Sequence, residues 1–343
     1  MKIPSMPIDV KKLAESVVKI GQERDQRVRV ELVFDPTASS KLTDMVLEAF
    51  VDVRSNAVIV DHVLSSSVPA ISKRSDLCVV VGGDSMLLGD TIETAKSKGV
   101  PAIIIIARGE TFFADSPADA QIYANVTMKE NTISNVAGNA NVPAVGTGIS
   151  LDDIIDIDTS TANRPLENLG SWIVQNVPSK SLALASDFPF LRHPLTIELG
   201  KENTIQNGAI SLLFFLPGAD MPLITLNQAK MMIQIASVYG REINGDRIKE
   251  VAAVVLGGLG LRAIARKLIT LIPVLGWLIK PAVAASGTMA MALTAAEYYE
   301  EKGKLHALED VVDKAWTSAE PVVSKGTGIF EKAVLGTTAN AEN

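Results

Sequence analysis

The chain opens on a helical stripe and then changes period. In residues 8–24 (IDVKKLAESVVKIGQER), Ile8, Leu13, Val17, Val18 and Ile20 fall roughly on one helical face, which predicts an amphipathic lead-in helix. From residue 28 onward, short apolar runs alternate with helical stretches. VRVELVF (28–34), NAVIVD (56–61), DLCVVV (76–81) and VPAIIIIA (100–107) read as strands, with NVPAVGTG (141–148) as a candidate last strand. KLTDMVLEAFVDV (41–53), residues 85–98 and LENLGSWIVQNV (166–177) read as helices. Strands this apolar need cover on both faces. The alternation therefore predicts an α/β fold, a doubly wound and mainly parallel sheet. Ligands of such sheets bind beyond the carboxyl ends of the strands. Asp35-Pro36-Thr37 and Gly82-Gly83-Asp84 stand at two such ends.

After about residue 180 the pattern changes again. Residues 181–204 begin with SLALASDFPFLRHPLTIE and read as a proline-punctuated bridge. Residues 205–320 are strongly apolar and helical in character, and 321–343 form a small, polar tail. The expected organisation is thus a lead-in helix (1–24), an α/β domain (25–180), a bridge, a hydrophobic helical domain and a flexible tail. In NQAKMMIQIASVYG, Met231, Met232, Ile235 and Val238 recur at helical spacing, the pattern of a packed core.

Three apolar runs raise the question of a membrane: VAAVVLGGLGL (251–261), LITLIPVLGWLI (268–279) and PAVAASGTMAMALTAA (281–296). Arg262, Arg266, Lys267 and Lys280 interrupt them. A spanning helix needs about 20 mostly apolar residues. Residues 268–296 reach that length only with Lys280 near mid-span, at a cost of about 2.5–3.5 kcal/mol. Pro273 and Pro281 favour breaks. Two arrangements stay open: a water-soluble bundle with a small-residue core, or a hairpin dipping into the bilayer from the cytoplasmic side. In the second, Leu268, Leu271, Ile272, Val274, Leu275, Trp277, Leu278 and Ile279 supply the membrane or partner face.

Composition narrows the classes. At 343 residues the chain is long enough for about two domains, and 47% hydrophobic content supports globular cores. A net charge of −7 argues against a nucleic-acid binder. The single cysteine, Cys78, lies in an apolar strand and reads as a buried, inert thiol, which excludes a disulfide framework and suits a reducing cytosol. His62, His193 and His306 share no ligand spacing, so no metal site is expected. The amino terminus has no apolar core of signal-peptide length, so a cytoplasmic location is expected. SLDDIIDID (150–158) carries Asp152, Asp153, Asp156 and Asp158 without the spacing or glycine of a calcium loop, and reads as a solvated acidic turn.

Two loops carry candidate nucleotide chemistry. On a phosphate-loop frame, DPTASSKL (35–42) puts Lys41 in the lysine place. Asp35 and Ser40 replace the glycines, and Leu42 replaces the magnesium-binding hydroxyl. An acid at Asp35 repels phosphate, and leucine cannot ligate a hard cation. Thr37, Ser39, Ser40 and Lys41 are the candidate contacts there. The second loop, VVVGGDSMLL, resembles the Gly-Gly-Asp-Gly-Thr phosphate loop of NAD and lipid kinases, with Ser85-Met86 in place of Gly-Thr. Its candidates are Gly82, Gly83, Asp84 and Ser85. The plainer reading, preferred here, is a turn whose Asp84 or Ser85 caps the next helix.

Residues 208–301 resemble the hydrophobic C-terminal domain of unknown function that follows Era-like GTPase domains in bacteria. The resemblance rests on Gln228, Met231 or Met232, Tyr239-Gly240, Ile272-Pro273, Gly276, Thr288 and Tyr298-Tyr299-Glu300. It implies membrane association, and it implies that the first half is a GTPase-type domain with decayed motifs. DPTASSKL becomes the phosphate loop. DHVL (61–64) becomes the Asp-x-x-Gly switch, keeping Asp61 with Leu64 in the glycine place. ARGE (107–110) stands for the guanine-reading Asn-Lys-x-Asp.

The sequence thus leads to a non-catalytic pseudo-GTPase-like protein with no catalytic residues and no cofactor expected. It binds a protein partner or a membrane surface at the inner face of the cell membrane, and self-association is left open. Two alternatives remain. One is an active nucleotide enzyme, either a divergent GTPase using GTP with Mg2+ or a kinase using Gly82 to Ser85. The other is a soluble scaffold without membrane contact.

Overall fold

The structure, a computed structural model, describes residues 10–108, 153–159, 164–213, 221–240 and 276–300. The chain divides into two compact units, residues 25–191 and residues 1–24 together with 192–343.

In the first unit the wholly apolar runs become buried strands: β1 (Val28–Phe34), β3 (Leu77–Val81) and β4 (Ala102–Ala107). β2 (Ala57–Val63) and β5 (Ile154–Ile157) flank them. All neighbours pair in parallel, in the order β2-β1-β3-β4-β5. This is one of the common doubly wound orders, and the winding direction reverses between β1 and β3. The fold is therefore α/β with an all-parallel five-stranded sheet. Val33, Cys78, Val80, Ile104 and Ile106 on one sheet face pack with Leu88, Ile92 and Ala95 of α3 (Leu88–Ser97). Fully burying each large aliphatic side chain is worth about 1.5–3 kcal/mol.

α2 (Ser40–Ala49) is shorter than its apolar pattern. It stops because Phe50 turns inward against Phe188 and Phe190, with ring centroids 5.1 Å apart in both pairs. Asp52 then accepts hydrogen bonds from the backbone N–H of Arg54 (2.8 Å) and Ala57 (2.7 Å), a local turn that competes with helix.

Two expectations about residues 150–204 are corrected. The acidic stretch read as a solvated turn contains β5. Its acids are held by bases of neighbouring elements: Asp153 pairs with Lys96, and Asp156 and Asp158 both pair with Arg108. Asp152 and the candidate strand at 141–148 lie outside the described residues. The proline-punctuated bridge is in fact helical. After α4 (Glu167–Asn176) come α5 (Ser181–Asp187) and the 22-residue α6 (Arg192–Leu213). Pro178 and Pro189 begin single tight turns, and Pro194 falls in the first turn of α6, where its missing N–H costs nothing.

The second unit contains α1 (Val10–Arg24), α6, α7 (Met221–Val238) and α8 (Gly276–Glu300). Met231, Met232, Ile235 and Val238 are buried, as their spacing predicts. α6 and α8 approach closely at Gly200. A Cβ there would lie 2.8 Å from Met289 Sδ and 2.9 Å from Ala292 Cβ. Asn207 and Gln228 both donate to Thr288 Oγ1, at 3.0 and 2.9 Å, a fully buried polar row inside the bundle. At one end Tyr239 stacks on Tyr299 (5.3 Å) and donates its hydroxyl to Glu300 (2.8 Å), with the Arg192 guanidinium 5.8 Å from the Tyr239 ring. α8 runs through Pro281, contrary to the expected break. No helix among the described residues is long and apolar enough to cross a membrane. The expected membrane or partner face from Leu268 through Leu271, Ile272, Val274 and Leu275 lies outside the described residues, as does the run at 251–261. Trp277, Leu278 and Ile279 fall in the first turns of α8.

Asp187, at the end of α5, is fully buried, and neither carboxylate oxygen has a hydrogen-bond partner. The Arg54 guanidinium stands 3.8 Å away and is bound more closely by Asp25. Burial first, and then the Asp52 charge, push Asp187 up to about 6, against the pull of Arg54. A carboxyl raised in the folded state favours folding below its ordinary value of 3.8, and this contribution is lost as pH rises through about 6. Asp187→Asn is therefore expected to stabilise the protein by about 1–2 kcal/mol at about pH 7.5, with the gain shrinking towards about pH 4. Thermal denaturation across that range checks it.

Candidate functional site

The reversal between β1 and β3 places the loops after these strands side by side, at the crevice where doubly wound sheets receive ligands. Here the two loops bind each other. Asp35 continues the β1–β3 ladder, its N–H donating to Val81 O at 3.0 Å. Its side chain is buried and accepts four hydrogen bonds. Oδ1 takes the Thr37 N–H (2.9 Å) and Thr37 hydroxyl (2.7 Å), and Oδ2 takes the Gly83 N–H (3.0 Å) and Ser85 N–H (2.8 Å). The Asp84 N–H in turn donates to Thr37 Oγ1 at 2.6 Å. Three successive amides of the Gly-Gly-Asp-Ser loop are thus spent on Asp35 and Thr37.

The local sequence explains the arrangement. Asp-Pro-Thr turns readily because the aspartate side chain accepts from the backbone two residues on. Gly83 admits the neighbouring loop. A Cβ on it would lie 2.3 Å from Thr37 Oγ1 and 2.5 Å from Ala38 N. Gly82 is packed against Ile104, whose Cγ2 would stand 2.9 Å from an added Cβ. Ser85 accepts from the Leu87 N–H (3.2 Å) and so leads into α3, while Asp84 is exposed and does not cap it. The helix itself begins beyond Leu87 without a side-chain cap.

Among the sequence candidates, Thr37, Gly83, Asp84 and Ser85 meet in this cluster, and Gly82 adjoins it with its N–H on Ile105 O at 2.8 Å. Ser39 stands before α2 and makes no side-chain cap bond. Ser40 and Lys41 occupy the first turn of α2 and are exposed. Asp61 is exposed on the edge strand β2, in register with Leu32, short of the strand end where Asp35 lies. The side chains of Lys41 and Asp61 make no hydrogen bond or ion pair with any described residue. Leu64, in the glycine place of the expected switch, is buried and extends the β1–β2 ladder through its N–H to Phe34 O (2.9 Å). Ala107 closes β4 and Arg108 is committed to β5 acids, while residues 109 and 110 lie outside the described residues.

The sequence reading missed Glu31, a carboxylate inside the run VRVELVF. It is fully buried and accepts from the Ser75 hydroxyl (2.6 Å) and from Arg29 Nε (3.2 Å), with His62 Nε2 2.6 Å away. Burial alone would raise its pKa, but the bonds from Ser75, His62 and Arg29 outweigh burial and hold it below the ordinary value. The cluster ties β1 to edge strand β2 and to the loop before β3. Burial, with the Glu31 charge adding to it, pushes the Cys78 thiol up to about 12, which keeps it a protonated core group. The one available signal for Glu31 was a charge interrupting an otherwise apolar strand.

Among the described residues no group of three or more histidine, cysteine, aspartate or glutamate side chains is placed to hold a metal ion. Comparison with protein-family models and with curated proteins gives no match.

Gly83→Ala forces the two loops apart and is expected to cost about 1–3 kcal/mol, the range of an overpacked site. Urea denaturation measures it, and an unchanged midpoint would show that the loops are not held against each other.

Proposed function

We propose that this protein is a non-catalytic, pseudo-GTPase-like adaptor. Its α/β unit serves as a platform for a protein partner, and its apolar helical unit attaches it to a partner or to the cytoplasmic face of a membrane. The observation that carries this reading is the saturated Asp35 carboxylate in the crevice. The buried acid stands where a triphosphate needs amides and space, and it repels phosphate. Lys41 is exposed in the first turn of α2, and Leu64 is locked into the sheet where the switch frame needs a flexible glycine to sense a γ-phosphate.

The strand order supports the GTPase-type frame. β1 lies between β2, which itself contains Asp61, His62 and Val63, and β3, which leads to Gly-Gly-Asp-Ser, and β4, ending at Ala107, follows next. In the helical unit, Tyr239 meets Tyr299 and Glu300, while Gln228 meets Thr288. These are separated pieces of the resemblance to the GTPase-associated hydrophobic domain, and their contacts give them one shared structural reason.

Isothermal titration of the full chain with GTP, GDP and ATP plus magnesium tests the reading. No binding is expected. Micromolar binding with hydrolysis would make the protein an enzyme. Fractionation with a carbonate wash tests the attachment: the account expects protein in the membrane fraction, and wholly soluble protein would favour a scaffold without membrane contact.

A further inference from the structure

The carboxyl ends of β1 and β3 hold more than a turn. The N–H groups of Thr37, Gly83 and Ser85 and the Thr37 hydroxyl converge on one small volume, and that volume contains a buried anion, the Asp35 carboxylate. Converging backbone donors of this kind make an anion-binding concavity whose donors keep their direction whatever fills them. A carboxylate offers about four lone-pair sites, and all are used here, so the nest and its occupant match in number. Contacts other than the carboxylate also hold these loops in place. Gly82 N–H is fixed on Ile105 O, Asp84 N–H is fixed on Thr37 Oγ1, and Gly83 packs directly on the Thr37–Ala38 backbone.

We propose that this nest is an oxyanion site whose resident ligand is the chain's own Asp35. The α/β unit therefore stands permanently in its anion-loaded arrangement. When the carboxylate is removed, the nest becomes a receptor for inorganic phosphate or for a phosphoryl group. The inference deepens the non-catalytic reading and rests on it: a loop that is always loaded presents the same surface with or without nucleotide. The tether explains why solution phosphate does not compete in the natural chain. Asp35 is already aligned by its ladder bond to Val81 and loses no translational freedom on seating, whereas free phosphate must lose all of it and is repelled by the resident charge.

The test uses full-length Asp35→Ala and Asp35→Asn beside the natural chain, titrated calorimetrically with inorganic phosphate, pyrophosphate and GDP. Asp35→Ala empties the nest and is expected to bind phosphate with millimolar or tighter affinity, with a melting temperature that rises with phosphate. Asp35→Asn keeps the volume and one acceptor oxygen, and is expected to remain closed to phosphate. The natural chain is expected to show neither heat nor thermal shift. Stronger binding of GDP than of pyrophosphate by Asp35→Ala would place a phosphoryl group of a nucleotide in the nest, and equal binding would place the free anion there. If Asp35→Ala is unfolded in phosphate-free buffer, added phosphate is expected to restore the fold. Folded Asp35→Ala that ignores phosphate, unfolded Asp35→Ala that phosphate does not rescue, or a natural chain that responds as strongly as the variant would each overturn the proposal. The phosphate and pyrophosphate responses of Asp35→Ala do not bear on the magnesium–GTP titration of the natural chain, so the two readings can fail separately.

Discussion

The carboxylate of Asp35 is the constraint on which the candidate site depends. A buried acid without partners is costly, and hydrogen bonds to a charged group are worth about 1.5–3 kcal/mol each. With two donors on each oxygen, Asp35 becomes a fixed point joining the ends of β1 and β3. Other features follow from that joint. Gly83 carries no side chain because the neighbouring backbone occupies the space, and Thr37 both donates to the acid and accepts from Asp84. The topology puts this joint at the winding reversal, the place where related architectures hold a ligand.

The same logic of satisfied polar groups recurs elsewhere. Glu31 is held by Ser75, Arg29 and His62 and secures the edge strand. Asn207 and Gln228 share Thr288 in the core of the helical unit, where each pairing requires a specific helix register. Asp187 departs furthest from this logic, with neither carboxylate oxygen hydrogen-bonded and its pKa raised as a result, and Gln228 Oε1 is also buried without a partner. Three of these clusters therefore stabilise particular pairings of elements, while the fourth marks a point where burial was accepted at a cost in stability.

Much of the α/β unit was legible because its strands are apolar on both faces and its helices are not. VRVELVF became a strand over the same residues, and the Met231 stripe became core. β5 was missed because its acids suggested solvent, whereas their partners, Lys96 and Arg108, are remote in sequence. The segment at 181–204 was misread because proline breaks helix interiors but is tolerated in a first turn, and only the fold shows which turn a proline occupies. The site was half legible. Both loops could be placed at strand ends, and the acid at Asp35 was seen as hostile to phosphate. Its role as the filling of the Gly-Gly-Asp-Ser amides was invisible, since it depends on β1 and β3 being neighbours.

Amide hydrogen exchange at Gly83 and Ser85 in the natural full-length chain tests the central claim most directly. If Asp35 permanently occupies these donors, both amides exchange slowly without any ligand, and magnesium–GTP leaves their rates unchanged. Fast exchange in the free protein that slows when nucleotide is added would show an open loop awaiting a phosphate, and would contradict the account.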